Sequence, residues 1–330
     1  MSHAHERRWA VILAAGEGTR MASLTRALYG VPVPKQYARL HGDRTLLQAT
    51  VDRLAPLVQY HRMVVVIASN QEALARRQLE PYPGIDIVVQ PENVGTGPGV
   101  MLPLARVMAR DPDARVIVSP SDHHVSRPLR FLEAMAAADD IATRSGSDRA
   151  DCSGGRVTLL GVAPDRPASD LGWIMPGQRL SSQNDAVGMD VASFVEKPAE
   201  STAFALLRAG GLWNTLVLVS RVRAFWSMMR EHLPRQSALF EDYASQVDSA
   251  TEEACLRAIY HNMPPADLSR DVLERAAGLA VVPIVDSGWS DWGTPERLFQ
   301  SLEGTPHLEP LLRQFRISPL SVTLRDVARA

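Results

Sequence analysis

Hydrophobic and polar positions follow two alternating patterns along the first half of the chain. Short apolar, β-rich runs at 9–13, 63–68, 85–90 and 115–119 are separated by helical patterns at 45–55, 70–79 and 100–110. The order β-α-β-α-β-α-β predicts a mainly parallel sheet with helices on both faces. In such sheets, ligands bind outside the carboxyl ends of the strands. Three loops with chemical potential are expected along that edge. They are Gly16-Glu17-Gly18-Thr19-Arg20 after the first run, residues 91–99 after the third, and Pro120-Ser121-Asp122-His123-His124 after the fourth.

The second half is less regular. Strand-like runs resume at 157–162, 191–195, 212–219 and 279–285. The stretch 138–155 reads as a helix end and a surface loop. The connection 164–190, rich in Gly, Pro, Ser and Asp, reads as an excursion over the pocket. Residues 222–277 are mostly helical, with breaks at Pro234 and Pro264-Pro265. The pattern implies one unit over residues 1–300 and a short helical tail over 301–330. That tail shows no hexapeptide periodicity, so no long β-helix extension is expected.

Composition narrows the classes of partner. The chain has 330 residues, 45% of them hydrophobic, enough for a sizeable core. A net charge of −2 and no basic block argue against nucleic acid or an anionic membrane as the main partner. No apolar run approaches the ~20 residues of a membrane span. The N-terminal residues lack the apolar centre of a signal peptide, and the expectation is a cytoplasmic protein. Cys152 and Cys255 give neither a metal spacing nor a disulfide framework.

One count points to a site. Lysine and arginine total 35, yet only Lys35 and Lys197 are lysines. Arginine has replaced lysine nearly everywhere, and it cannot copy the compact, rotatable charge of an ammonium. Both lysines are therefore candidate site residues, in Pro34-Lys35-Gln36 and Glu196-Lys197-Pro198.

The glycine bend after the first run lets backbone N–H groups approach an anion, and Arg20 and Lys35 add positive charge. It is not a dinucleotide fingerprint, because Met21 stands where a third glycine is due, and no Gly-Lys-Ser/Thr marks a P-loop. Asp122 and Asp291 come from distant segments and suit Mg²⁺ bound with phosphate oxygens. Each suits a helix N-cap equally well. His123 and His124 are adjacent in an extended stretch and point to opposite sides, which sets them outside the site. Glu196 offers a carboxylate for hydroxyls, Lys197 an ammonium for a phosphate, and Asn214 a donor and acceptor. No arrangement supplies a covalent nucleophile.

Taken in order, residues 13–20, Pro34-Lys35-Gln36, Ser121-Asp122-His123, residues 194–198, Trp213-Asn214 and Trp289-Ser290-Asp291 resemble the sugar-phosphate nucleotidyltransferases, mannose-1-phosphate guanylyltransferases above all. The resemblance covers about residues 9 to 300. It implies a Rossmann-like nucleotidyltransferase fold and Mg²⁺-dependent conversion of a nucleoside triphosphate (GTP favoured) and a sugar 1-phosphate into a nucleotide sugar and pyrophosphate. It also implies roles. Gly16, Gly18 and Thr19 line the nucleotide loop, and Gln90, Gly95 and Thr96 lie near base and ribose. Arg20 and Lys35 act on the triphosphate, and Asp122 and Asp291 hold Mg²⁺. Gly172, Glu196 and Asn214 contact the sugar, and Lys197 its phosphate. An oligomer is compatible with the resemblance. Thr215-Leu216 stands where relatives have Ser-Gly, and Asn93-Val94-Gly95-Thr96 departs from their base-proximal pattern. Glucose-1-phosphate uridylyl- or thymidylyltransferases share the pattern, as would a non-catalytic nucleotide-sugar sensor on the same fold.

Overall fold

A computed structural model describes residues 7–143, 155–180 and 188–317. Within those residues, nine strands form one sheet in the order β3-β2-β1-β4-β9-β6-β10-β8-β7. β1 (Arg8–Ala14), β2 (Met63–Ala68), β3 (Asp86–Gln90) and β4 (Arg115–Pro120) are mutually parallel. Their apolar runs are continuous because both sheet faces are covered. Trp9 and Val11 face one core with Val64 and Val66, while Ala10 and Ile12 face the other with Met63 and Val65.

Helices fill the crossovers: α1 (Ala22–Tyr29), α2 (Leu46–Leu54), α3 (Glu72–Leu79), α4 (Thr96–Arg110) and α5 (Pro128–Thr143). Thr45 and Gln48 start α2 with reciprocal side-chain–backbone bonds, a capping box readable from Thr-x-x-Gln. Between β4 and α5 lies β5 (His124–Val125).

Past β4 the sheet turns largely antiparallel. It contains β6 (Thr158–Val162), β7 (Gly172–Arg179), β8 (Met189–Glu196), β9 (Leu212–Arg221) and β10 (Ala280–Ile284), of which β10 alone runs parallel to its neighbour β6. The sheet is thus parallel on the side of the glycine bend and mixed as a whole. β7 is a strand that the glycines and Pro176 of the excursion concealed. Residues 181–187 of that excursion, residues 144–154 of the expected surface loop, with Cys152, and residues 318–330 of the expected tail lie outside the described residues.

β9 divides its pairing. Residues 218–221 pair with β4, whereas Trp213 and Leu212 pair with β7. Between them Leu216 adopts φ 54°, a left-handed conformation that costs a branched side chain about 1–2 kcal/mol. α6 (Glu200–Arg208) precedes β9, and α7 (Val222–His232), α8 (Pro234–Ala244) and α9 (Glu252–His261) follow it, the break falling at Pro234 as expected.

A two-residue strand, β11 (Trp289–Ser290), pairs antiparallel with β5, and α10 (Pro295–Leu302) and α11 (Leu308–Ile317) end the described chain. A third apolar cluster gathers Met21 and Leu24 of the first loop and α1 with Leu46, Trp292, Leu298, Leu302 and Leu311. α10 runs across the boundary expected at residue 300, so the far side of the glycine bend rests on the C-terminal helices. No helix among the described residues is long and apolar enough to cross a membrane.

Candidate active site

The ends of the parallel strands are level: Ala14 lies beside Ile67, Ala68 beside Gln90, and Leu13 beside Pro120. The three loops singled out from sequence therefore do leave one edge. In the first, Gln36 donates to the carbonyls of Ala14 (3.0 Å) and Gly16 (2.7 Å), and Gln71 donates to that of Gly16 (3.1 Å). These amides hold the bend's carbonyls, and among the described residues nothing accepts from the N–H groups of Gly16, Glu17 or Gly18. A side chain at Gly16 would meet nothing within 4 Å, so the backbone there is open to an approaching group. Gly18 is different. It has φ +63°, and a Cβ would sit 2.8 Å from the Lys35 backbone nitrogen, so the bend is packed directly on the lysine turn.

Lys35 begins a short 3-10 turn, Lys35–Tyr37, and is 5% exposed. Its ammonium lies 3.0 Å from Asp122 Oδ2 and donates to the carbonyls of Asp291 (2.5 Å) and Trp292 (3.4 Å). The β5–β11 ribbon explains the meeting of distant segments. Ser290 pairs with His124, which sets Asp291 and Trp292 beside His123 and Asp122. Trp292 is fully buried at φ 41° and stacks on His124 at 4.2 Å and 8°. That strained residue aims two successive carbonyls at one ammonium.

Asp122 is no helix cap. Its side chain is 37% exposed beside the lysine. Burial raises its carboxyl pKa, but the charge and hydrogen bond of the Lys35 ammonium outweigh this and hold it below the usual carboxylate range. Burial is the main cause that lowers the pKa of both His123 and His124, the latter pushed down to about 3. Trp289 donates to His123 Nδ1 at 3.3 Å, while His124 is held in its stack on Trp292.

Asp291 is not a helix cap either, since Thr294 caps α10. Its carboxylate, in a residue 6% exposed, accepts from Arg297 Nη1 at both oxygens, 2.9 and 2.8 Å. Arg297 Nη2 reaches Asp170 Oδ1 at 2.5 Å, and Asp170 Oδ2 accepts from Arg20 at 2.9 Å. Asp170 experiences burial that raises its pKa, overridden by Arg297 and Arg20. Sequence reading missed Arg297 and Asp170 because isolated charges resemble solvated surface. Among the described residues no group of three or more His, Cys, Asp or Glu side chains could hold a metal. Mg²⁺ takes one or two carboxylates plus phosphate oxygens. Asp122, part-exposed and charged, fits that role. Asp291 does not fit in this arrangement, since the guanidinium covers both oxygens.

The sugar-side candidates also come together. Gly172 pairs with Glu196, and a Cβ there would lie 2.6 Å from Glu196 Oε2, 3.1 Å from Phe194 and 3.4 Å from Asn214 Cβ. Lys197, with φ 47°, lies 3.0 Å from Glu196 and is half-exposed. Asn214 Oδ1 accepts from the N–H of Leu216 at 3.0 Å, which fixes the amide and leaves its NH₂ for other partners. Glu274 accepts from the Glu196 N–H at 2.6 Å, a neighbour that no sequence pattern marked. At the loop after β3, Gln90 is 3% exposed with Nε2 unpartnered, and its Oε1 lies 3.5 Å from where a Gly99 side chain would start. Gly95 has φ +100° and packs on the Ala266 carbonyl. The Thr96 hydroxyl is engaged by Asp267 and the Leu268 N–H, so the turn offers backbone rather than a free side chain.

Strand order and the bend at the carboxyl edge place the protein in the Rossmann-like α/β class. The chain belongs to the nucleotidyl transferase family, whose model matches residues 9–306. It is 30% identical over 314 residues to the mannose-1-phosphate guanylyltransferase ManC of Salmonella typhimurium, covering 90% of this chain and 60% of that protein. It is 28% identical over 303 residues to the alginate biosynthesis protein AlgA of Pseudomonas aeruginosa, covering 86% and 56%. The chain thus spans about 60% of the length of these curated relatives. A solved structure described as a mannose-1-phosphate geranyltransferase from Thermus thermophilus is similar with a TM-score of 0.73 at 28% identity, covering 91% of this chain and 81% of that one. The resemblance to sugar-phosphate nucleotidyltransferases read from the motifs agrees with these relatives.

Proposed function

We propose that this chain transfers a nucleotidyl group from a nucleoside triphosphate to a sugar 1-phosphate, with GTP and mannose 1-phosphate as the favoured pair. The observation that carries the reading is the buried Lys35 ammonium between the Asp122 carboxylate and the Asp291–Trp292 backbone, packed against an open glycine bend. The names of the curated relatives favour guanine and mannose.

In this reading the triphosphate lies on the N–H groups of Gly16 to Thr19. Arg20 and Lys35 offset charge on the departing pyrophosphate. Gln90, with its unpartnered amide, and the Gly95-Thr96 backbone meet the base and ribose. Gly172, which lets Glu196 and Asn214 approach closely, contacts the sugar together with those two side chains, and Lys197 holds the sugar phosphate. An oxygen of that phosphate attacks the α-phosphorus in line, the new O–P bond forming as the bond to the β-phosphate oxygen breaks. Such transfer needs positioning and charge stabilisation rather than a covalent nucleophile. Asp122 would hold Mg²⁺, with Asp291 as the second carboxylate wherever Arg297 did not occupy it, and the ion would supply neutralisation of phosphate charge. The catalytic unit is taken to extend to about residue 300, with the following helices as its buttress and the cytoplasm as its compartment.

The test is pyrophosphate release from the purified chain with Mg²⁺, each of GTP, UTP and dTTP, and mannose or glucose 1-phosphate. The fastest release is expected with GTP and mannose 1-phosphate. Preference for another pair would move the substrate assignment, and none with any pair would favour a nucleotide-sugar sensor.

A further inference from the structure

The four charged side chains around Gly293 form one continuous chain in which Arg297 and Asp170 each hold two partners. Arg297 binds Asp291 through Nη1 and Asp170 through Nη2, and Asp170 binds Arg20. Two guanidinium and two carboxylate charges cancel. Gly293 is where they meet: a Cβ there would overlap Asp291 Oδ2 and lie 3.1 Å from both Arg20 Nη2 and Arg297 Nη1. The backbone has been kept bare for the network. Arg297 is 13% exposed, and its guanidinium is held in the charged form by Asp170 and Asp291 despite burial.

Resting on the function proposed above, we propose that Arg297 is a resident cation on the metal-binding carboxylate, and that arrival of the triphosphate is what removes it. A guanidinium nitrogen lying across both oxygens of Asp291 competes directly with a metal ion for that carboxylate. The route for release is built in. A phosphate that draws Arg20 away leaves Asp170 with one cation instead of two. Asp170 can then take Arg297 with both oxygens, and Asp291 is freed. Charge is conserved through the exchange, since the incoming phosphate replaces Asp170 as partner of Arg20. Arg297 and Asp170 are thus positioning residues. They couple the metal site to the nucleotide site and keep Asp291 from binding a divalent ion alone.

The experiment uses Mn²⁺ alone, titrated into the nucleotide-free chain, with free ion followed by electron paramagnetic resonance. Arg297→Gln is expected to bind Mn²⁺ roughly 10- to 100-fold more tightly than the parent, the range expected when a charge-assisted competitor is removed. Arg297→Lys, which keeps a charge but only a single-point contact, is expected to give a smaller gain and serves if the glutamine variant does not fold. The gain should vanish in Arg297→Gln/Asp291→Asn, as a double-mutant cycle requires. Equal affinity in the parent and both Arg297 variants overturns the inference while leaving the metal reading intact. A gain that survives loss of Asp291 also overturns it. Absence of Mn²⁺ binding in every form overturns the inference and the metal reading together.

Discussion

Lys35→Arg is the substitution that asks most of the site, because it keeps the charge and changes only its shape. The ammonium sits in a three-point socket of Asp122 Oδ2 at 3.0 Å and the carbonyls of Asp291 and Trp292 at 2.5 and 3.4 Å, with its side chain 6% exposed. A longer, planar guanidinium cannot place one nitrogen at that point without moving Asp122 or the Trp292 backbone. Overpacking of a buried position costs about 1–3 kcal/mol. A misplaced charge-stabilising donor lowers kcat by about 10²–10³. The expected result is a melting temperature several degrees lower and kcat reduced at least ~100-fold in a pyrophosphate-release assay. Lys197→Arg is the internal control. That lysine is half-exposed with Glu196 as its partner, so arginine fits, and the change is expected to stay within roughly 5-fold, mainly in KM. The scarcity of lysine treats the two alike, whereas burial separates them. A Lys35→Arg enzyme within about threefold of the parent, or a Lys197→Arg enzyme equally damaged, would refute the reasoning.

Gly18→Ala must enter a left-handed conformation against the Lys35 backbone nitrogen and is expected to lose about 1–2 kcal/mol of stability, with a matching fall in kcat/KM; Gly16→Ala, facing open space, should melt like the parent. His124 titrates near 3 when folded because it is buried, and near 6.5 when unfolded, so below pH 6.5 the unfolded chain binds the extra proton. Stability should therefore fall as pH drops from about 6.5 toward 3, and His124→Phe should flatten that limb of urea-unfolding curves by about 1.4 kcal/mol per pH unit. An unchanged slope would show that another group dominates. Leu216→Gly relieves the left-handed strain that Leu216→Ala keeps, so glycine should be the more stable of the two by about 1 kcal/mol, the reverse of the usual order in a strand.

Much of the parallel half of the sheet was legible because continuous apolar runs mark strands covered on both faces, and the loops after them then fall on one edge. Lys35 was legible through composition alone. The rest depended on contacts with no local signal. Asp122 and Asp291 meet through β5 and β11, two residues each, too short for any pattern to mark. β7 was hidden by Gly172, Pro176 and Gly177, which read as turn residues, although Gly172 is there to admit Glu196 and Asn214. Arg297 lies 127 residues from Asp170, and only the folded chain makes them partners. At both aspartates the folded neighbours remove the cap reading, since Thr294 caps α10 and Asp122 pairs with Lys35.

The divided pairing of β9 has a mechanical consequence. One end of that strand is fastened to β4, which leads to Asp122, and the other to β7, which carries Gly172. The gap between the two halves is therefore a fork in a single sheet, and Leu216 marks the point where it branches. The spacing of the tines is therefore a property of backbone pairing, which β6 reinforces along the other edge of β9, and not of mobile side chains. A change in the width of the opening would then have to come from the loops at the tips of the tines, because the two fastened strands are tied to one backbone.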